Sequence, residues 1–523
     1  MTATMQLPTR NRPTRHDLVV LLPAIAVPAL GLFLGWRGGD LPAQIFRADM
    51  FRSSGLTVWN NLWFAGHPTF DYSLVMPVLG SVLDPRILAI VAGIVAAIAF
   101  AVVARRAWPQ THRWAVAWFS LSTATNFAVG RVTFALGLAF AICVVACIQT
   151  RRYAIAAALG AFTTITSPVA GLFVVIAATA WFVTTHSTPH RRGAAAIIAC
   201  TLFPIGAVAI MFPSQSIFPY RGIDFARDIA VCAVAYFLIP KTQRQLRTAT
   251  LLYTLTCCAS FIVASPLGGN VSRLAQFFAG PIIAAVLVKH RTVLLRLAVI
   301  PLLLWQWIPA IDGATAGTTD PAAHAIFYQP LLDYLHAHPP QGRIEVPSLQ
   351  RHWESVFVAE QHALARGWER QIDRAYNALF YEQALTADEY HAWLLDNAVE
   401  YVALADTQLD PASRTEQQLL STPQPFLTPV LTTKHWHVWR VNDAHGYIDG
   451  PGRLVSMTTS KMIIDISGPA SVTIHVHYTP RWSSTGTGCV TLAPMNWTRI
   501  QVATAGRYTI QPAWFPKECA LEE

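Results

Sequence analysis

Charged residues are scarce in this sequence. Asp, Glu, Lys and Arg make up 13% of its 523 residues, about half the share of an ordinary soluble protein. That scarcity excludes a soluble enzyme of this length. No cysteines stand at zinc-type spacing, and no Gly-rich phosphate loop, long internal repeat or low-complexity linker is present. The duplicated halves that many transporters carry are missing as well.

What the chain does have is apolar sequence in blocks. It is 53% hydrophobic, and several blocks reach the roughly 20 residues a spanning helix needs. The expected fold class is a polytopic α-helical membrane protein, with the bilayer as its first partner. The net charge of +9 therefore reports topology and not nucleic-acid binding.

Eleven spans are expected, at about 18–36, 86–104, 114–129, 131–149, 153–167, 168–184, 194–212, 228–240, 248–264, 273–288 and 292–309. The first lacks a small-residue cleavage site and is followed by further spans, so it is not a signal peptide. Arg105, Arg106, Arg113, Arg151, Arg152, Arg191 and Arg192 fall on one side, with Lys241, Arg244, Arg247, Lys289, Arg291 and Arg296. The positive-inside rule makes that side cytoplasmic, together with the N-terminus, in the cytoplasmic (plasma) membrane. An odd span number then puts the C-terminal region outside.

Four regions result: a cytoplasmic N-terminus over 1–17, a transmembrane region over 18–309 with an outer loop over 37–77, an extracytoplasmic α/β domain over 310–442, and an extracytoplasmic β-sandwich over 443–523. In the third, LLDYLHAH and LTADEYHAWLLDNA read as helices, and RIEVPS, EYVALAD and HWHVWRV as strands. The fourth holds short alternating strands between Gly, Pro and Ser turns. Six cysteines lie in apolar spans, where thiols act as small hydrophobes. Cys489 and Cys519 lie in the tail, where an oxidising compartment would let them pair.

The outer loop WRGGDLPAQIFRADMFRSSGLTVWNNLWFAGHPTF carries the candidate chemistry. Asp40 stands just past the membrane edge, a general base for a hydroxyl acceptor or else a solvated interface anchor. Asp49 follows nine residues on. Trp59 and Trp63 are expected in a reentrant or interfacial helix, where they stack on a sugar or join the ordinary aromatic belt. His67 is a substrate or metal ligand, or more plainly a structural hydrogen-bonding residue. No carboxylate pair demands a metal, although Asp40 with Asp49 leaves a divalent cation possible; no other cofactor is expected. Arg131, Arg221 and Arg273 lie near span ends on the outer side, where guanidinium forks clamp phosphate or snorkel to headgroups. Arg273, beside Asn270, is the strongest of the three. The segment ARGWERQIDRAYNALFY (365–381) suits a carbohydrate surface or a face packed on the membrane region.

The loop motif GD-L-P-x-Q, with W-N, GHP and a Tyr before Pro77, resembles bacterial GT-C-type membrane glycosyltransferases. The nearest lineages are the lipoteichoic-acid-glycosylating and the 6-pyruvoyl-tetrahydropterin-synthase-related membrane proteins. GRVTFALGLAF, TSPVAGLF, PLGGNVSRLAQFFAGP and GWERQIDRAYNALFY resemble an actinobacterial branch. The resemblance implies an inverting transferase that moves a sugar from a polyprenyl-phosphate donor to a cell-envelope glycan or glycolipid acceptor, with decaprenyl-phosphate arabinose or mannose as natural donors. It carries the base to Asp40, with Asp49 second, and the leaving phosphate to the basic residues. The paired-acid form of the loop seen in many members is missing here. The competing expectations are a transporter or lipid-carrier flippase, and a non-catalytic envelope scaffold with a glycan-binding tail.

Overall fold

The computed structural model describes residues 14–69, 73–211, 217–288, 292–382, 384–514 and 516. A short helix α1 (Arg15–Val19) leads into α2 (Pro23–Phe33), and α3 (Leu41–Ser54) and α4 (Val75–Val82) follow. Next come α5 (Pro85–Ala107), α6 (His112–Val129), α7 (Val132–Gln149), α8 (Tyr153–Thr166) and α9 (Pro168–Thr184). The helical part closes with α10 (Thr188–Met211), α11 (Gly222–Leu238), α12 (Arg244–Ile262), α13 (Arg273–Leu287) and α14 (Thr292–Thr319).

Each expected span coincides with a helix. Six helical segments among the described residues are long and apolar enough to cross a membrane, and α8 and α9 are shorter apolar helices. Local chemistry sets the boundaries. Asp84 caps α5 by accepting the Arg86 N–H at 2.7 Å, Pro85 fills the first position, and Arg105 and Arg106 close the last turn. Ser167 and Pro168 divide the 153–184 block into α8 and α9. Outward-facing Phe33, Phe203, Ile210, Phe237 and Ile262 are exposed, as on helices solvated by lipid. This is a multi-pass membrane protein.

Two expectations need correction. The outer loop is structured: α3 and α4 occupy much of it. Trp59 sits in a hairpin of β1 (Trp59–Asn60) and β2 (His67–Pro68), not in an interfacial helix. And α11 begins at Gly222 rather than 228, because Asp224 pairs with Arg221 at 2.7 Å and with Arg227 across its first turn.

The soluble region contains α15 (Gln329–Ala337), α16 (Glu354–Phe357), α17 (Arg370–Tyr376), α18 (Ala387–Asp396) and α19 (Arg414–Leu420). They accompany a sheet ordered β3 (Arg343–Glu345), β4 (Val399–Ala405), β6 (Trp436–Val441), β5 (Leu427–Thr432), parallel only between β3 and β4. Two four-stranded antiparallel sheets then form a sandwich. One holds β7 (Ile448–Asp449), β10 (Ala470–His477), β12 (Cys489–Leu492) and β13 (Trp497–Val502). The other holds β8 (Gly452–Met457), β9 (Met462–Ile466), β11 (Trp482–Ser484) and β14 (Gly506–Pro512). Alternate residues Met462, Ile464 and Ile466 meet Val472, Ile474 and Val476 between the sheets.

The β1–β2 hairpin joins the parts. Asn61 donates its N–H to the Thr459 carbonyl at 2.6 Å, His477 donates to Ala65 at 2.7 Å, and Leu364 donates to Leu62 at 2.9 Å. Buried Arg47 of α3 pairs with buried Glu369. The loop and the whole soluble region thus lie at one end of the helical bundle.

Candidate active site

Asp40 precedes α3 and donates its N–H to the Val129 carbonyl at 3.0 Å. That close seat depends on glycine. Gly130 ends α6 with φ +86°, and a β-carbon there would lie 2.5 Å from the Leu41 nitrogen; one on Gly38 would lie 2.1 Å from the Val129 carbonyl carbon. The backbone bearing Asp40 is therefore pressed onto the turn between α6 and α7. Arg131, on that turn, donates Nε to Asp40 Oδ2 at 3.4 Å, with side chains 22% and 33% exposed. One turn further along α3, buried Gln44 accepts from Thr133 Oγ1 at 2.7 Å. Positions i and i+4 of α3 thus both face the start of α7.

Arg273 begins α13, and its guanidinium lies over the Phe134 ring at 5.2 Å. Phe134 is about one turn below Arg131 on α7, so the packing brings Asp40, Arg131 and Arg273 to one region. Asn270 sits in the 3-10 turn Gly268–Ser272 immediately before Arg273. Arg221 flanks that turn, with the Gly269 N–H donating to Pro219 at 3.3 Å, but its side chain is 75% exposed and paired with Asp224. Below lies an apolar cavity of about 250 Å³ between α5, α7, α9, α11, α12 and α13. Leu138 of α7 and Leu274 and Phe278 of α13 are in its wall, next along their helices to Phe134 and Arg273.

The C-terminal region packs beside the backbone that bears Asp40. Arg351 makes a bidentate pair with Asp312 of α14 at 2.9 and 3.0 Å, and its Cδ would stand 3.8 Å from a β-carbon on Gly39. Arg37 lies over the Trp353 ring at 5.5 Å. Gln44 closes the GD-L-P-x-Q motif of the sequence but was given no role there, and Arg351 and Asp312 were not singled out. The helix α3 is what puts Gln44, four residues after Asp40, on the same side as the acid. Arg351 has no local signal; the fold delivers it.

Other candidates stand elsewhere. Asp49 is nine residues along α3 from Asp40, roughly 13 Å at 1.5 Å per residue, and it pairs with Arg52. The two acids therefore do not share a cation. Trp59 and Trp63 are core residues: Trp59 meets Trp482 edge-on, and Trp63 stacks on Phe46 at 4.0 Å while donating Nε1 to Ser355. Neither ring is open to a sugar. His67 is buried, with Nδ1 on the Pro68 carbonyl at 2.7 Å and Nε2 on Asn60 Nδ2 at 3.1 Å. Burial and nearby Arg47 push its pKa down to about 3. A neutral ring with both nitrogens engaged is not a metal ligand. Cys489 is disulfide-bonded; Cys519 lies outside the described residues.

No family model matches this sequence, and no curated protein does. Solved structures that align with it include arabinofuranosyltransferase AftD from mycobacteria, with TM-score 0.48 and 14% identity over 85% of this chain. The chain spans 41% of that protein's length. ArnT from Cupriavidus metallidurans aligns with TM-score 0.48 and 14% identity over 82% of this chain and 98% of ArnT. The oligosaccharyltransferase of Archaeoglobus fulgidus aligns with TM-score 0.45 and 9% identity over 74% of this chain and 69% of that one.

Proposed function

We propose that this protein is a GT-C-like membrane glycosyltransferase that moves a sugar from a polyprenyl-phosphate donor to a cell-envelope glycan or lipid acceptor at the outer face of the membrane. The observation that carries the proposal is vertical: an acid–arginine pair open to solvent, then Arg273, then an apolar cavity whose wall begins at Leu274. Such an order suits an amphiphile with a phosphate between a sugar and a hydrocarbon chain. The prenyl chain would enter the cavity, where burying each CH₂ contributes about 0.8 kcal/mol.

Asp40 is the base in this reading. It takes the proton of the acceptor hydroxyl, whose oxygen attacks the anomeric carbon as the C–O bond to the lipid phosphate breaks, with inversion. Arg273 neutralises the leaving phosphate, and Asn270 sits beside it. Arg131 holds Asp40 before donor binds. An arriving phosphate competes for that guanidinium, freeing the carboxylate as the donor seats. Gln44, bonded to Thr133 of α7, and Arg351, beside Gly39, hold the two segments that carry the pair.

The test is complementation of a deletion strain, with lipid-linked and envelope glycans compared against wild type. Asp40→Asn should restore none of the missing glycan although the protein reaches the membrane at normal level. Full restoration by Asp40→Asn would rule out its role as base. An unchanged glycan profile in the deletion strain would rule out glycosyl transfer.

A further inference from the structure

His445, Asp449 and His475 place one ligand atom each within 4.8 Å of one another, and the proposed reaction uses none of them. Strand register brings two of them together. β7 pairs antiparallel with β10 through Thr473 and Asp449, so His475 is the diagonal neighbour of Asp449 on the same face. His445 lies on the connector from β6 to β7, with Nδ1 at 3.4 Å from Asp449 Oδ1.

The hydrogen bonding of His475 is decisive. Its ring is 5% exposed, and Nδ1 lies 2.7 Å from the backbone carbonyl of Asp396, at the end of α18. A carbonyl only accepts, so Nδ1 carries the hydrogen and the neutral ring directs the Nε2 lone pair outward. That lone pair faces Asp449 Oδ2 at 2.7 Å. Two acceptors at such a distance need a cation between them, either a proton or a metal. A backbone carbonyl behind a histidine is also the usual second partner that orients a ligating imidazole. Buried Arg343, which donates to the His475 carbonyl, is the neighbouring cation that a metal must tolerate.

We infer that His445, Asp449 and His475 form a divalent transition-metal site that clasps the β6–β7 connector to the edge of the sandwich. Two imidazoles and one carboxylate suit zinc, cobalt or nickel better than calcium or magnesium. Bond lengths of about 2.0–2.1 Å set ligand atoms roughly 3.4 Å apart in a tetrahedron. Reaching that geometry draws His445 inward, which its exposed position permits, and parts Nε2 from Oδ2 by a fraction of an ångström. Water completes the fourth position.

The full-length protein in detergent, titrated with zinc chloride by calorimetry and with cobalt chloride by visible absorption, tests this. One equivalent of zinc should bind, with a four-coordinate cobalt spectrum. His445→Ala and Asp449→Asn, both surface changes, should each weaken binding at least about tenfold, whereas His437→Ala, an exposed histidine on β6, should not. Absence of saturable binding at millimolar zinc overturns the proposal and leaves a protonated His475–Asp449 pair. Undiminished binding in both ligand variants overturns it too, because the metal then sits elsewhere.

Discussion

Two charge clusters lie at the same end of this molecule and are built in opposite ways. In the α/β region Arg366 is sealed: it grips Asp373 with Nε and Nη2 at 3.0 and 2.6 Å and reaches Glu416 at 3.4 Å. Asn377, Tyr381 and Tyr390 complete the network through Asp373 and Glu416. Asp40 and Arg131 share one long hydrogen bond and remain partly exposed. The first cluster has more charge and more bonds, and the cavity beside Arg366, Asp373 and Tyr381 is only about 10 Å³. A closed network fixes a fold, whereas an under-bonded pair at an entrance keeps valences for a substrate. On the proposed function, the chemistry belongs to the accessible, incompletely bonded pair and not to the cluster richer in charge.

The largest effect that would sharpen this contrast is in the sealed cluster. Arg366→Ala leaves Asp373, Glu416 and Glu345 without their common partner and should cost about 3–5 kcal/mol, seen as a lower thermal midpoint and reduced abundance. Residual protein should transfer sugar at a normal rate per molecule. Asp40→Asn should do the reverse, lowering turnover by about 10²–10⁴-fold with an unchanged melting temperature. A variant at either site that moved both quantities equally would erase the distinction.

A smaller effect is expected in pH. Burial holds His67 and His477 neutral, each with a pKa lowered to about 3, while the unfolded chain protonates them near 6.5. The unfolded state then binds more protons below that value, so their contribution is full above pH 6.5 and is lost as pH falls toward 3. Glu416 acts with the opposite sign: burial raises it to about 7, so its contribution weakens as pH rises from the ordinary carboxylate range toward 7. The measurement that separates them is the difference in melting temperature between wild type and His67→Gln across pH 4–7. Wild type should lose more stability than the variant on acidification. Equal slopes would mean that the hairpin joint is not acid-sensitive.

How much of this could be read beforehand depends on the range of the interaction involved. The spans were legible because an apolar run of sufficient length has one stable solution in lipid. Asp40 was legible as a charge beside such a run. The helix α3 was not: its buried residues Phe46, Arg47 and Met50 face protein rather than lipid, so the segment looks like a polar loop. His67 and Trp63 drew attention as rare types in an outer loop. Their burial comes from Ser355, Gly367 and the sandwich, hundreds of residues away. Arg351 was invisible for the same reason.

The smallest expected effect separates Asp49 of α3 from Asp40 at its N-cap. Asp49 and Arg52 form an exposed i,i+3 pair, with side chains 41% and 58% exposed, and Arg52 also donates to the Ser81 carbonyl at 3.2 Å. A pair of this kind is worth about 0.2–1 kcal/mol, and Arg52 keeps its second partner when the first is removed. Asp49→Asn should therefore shift stability within that range and leave glycan transfer intact in the same complementation assay. The two aspartates, one at the N-cap of α3 and one within it, carry the same chemistry, so side-chain identity cannot account for a difference between them. Asp40 pairs with Arg131, whereas Asp49 pairs with Arg52. Loss of transfer in Asp49→Asn with activity kept in Asp40→Asn would move the base along α3, and the cavity would no longer lie beneath the reacting atoms.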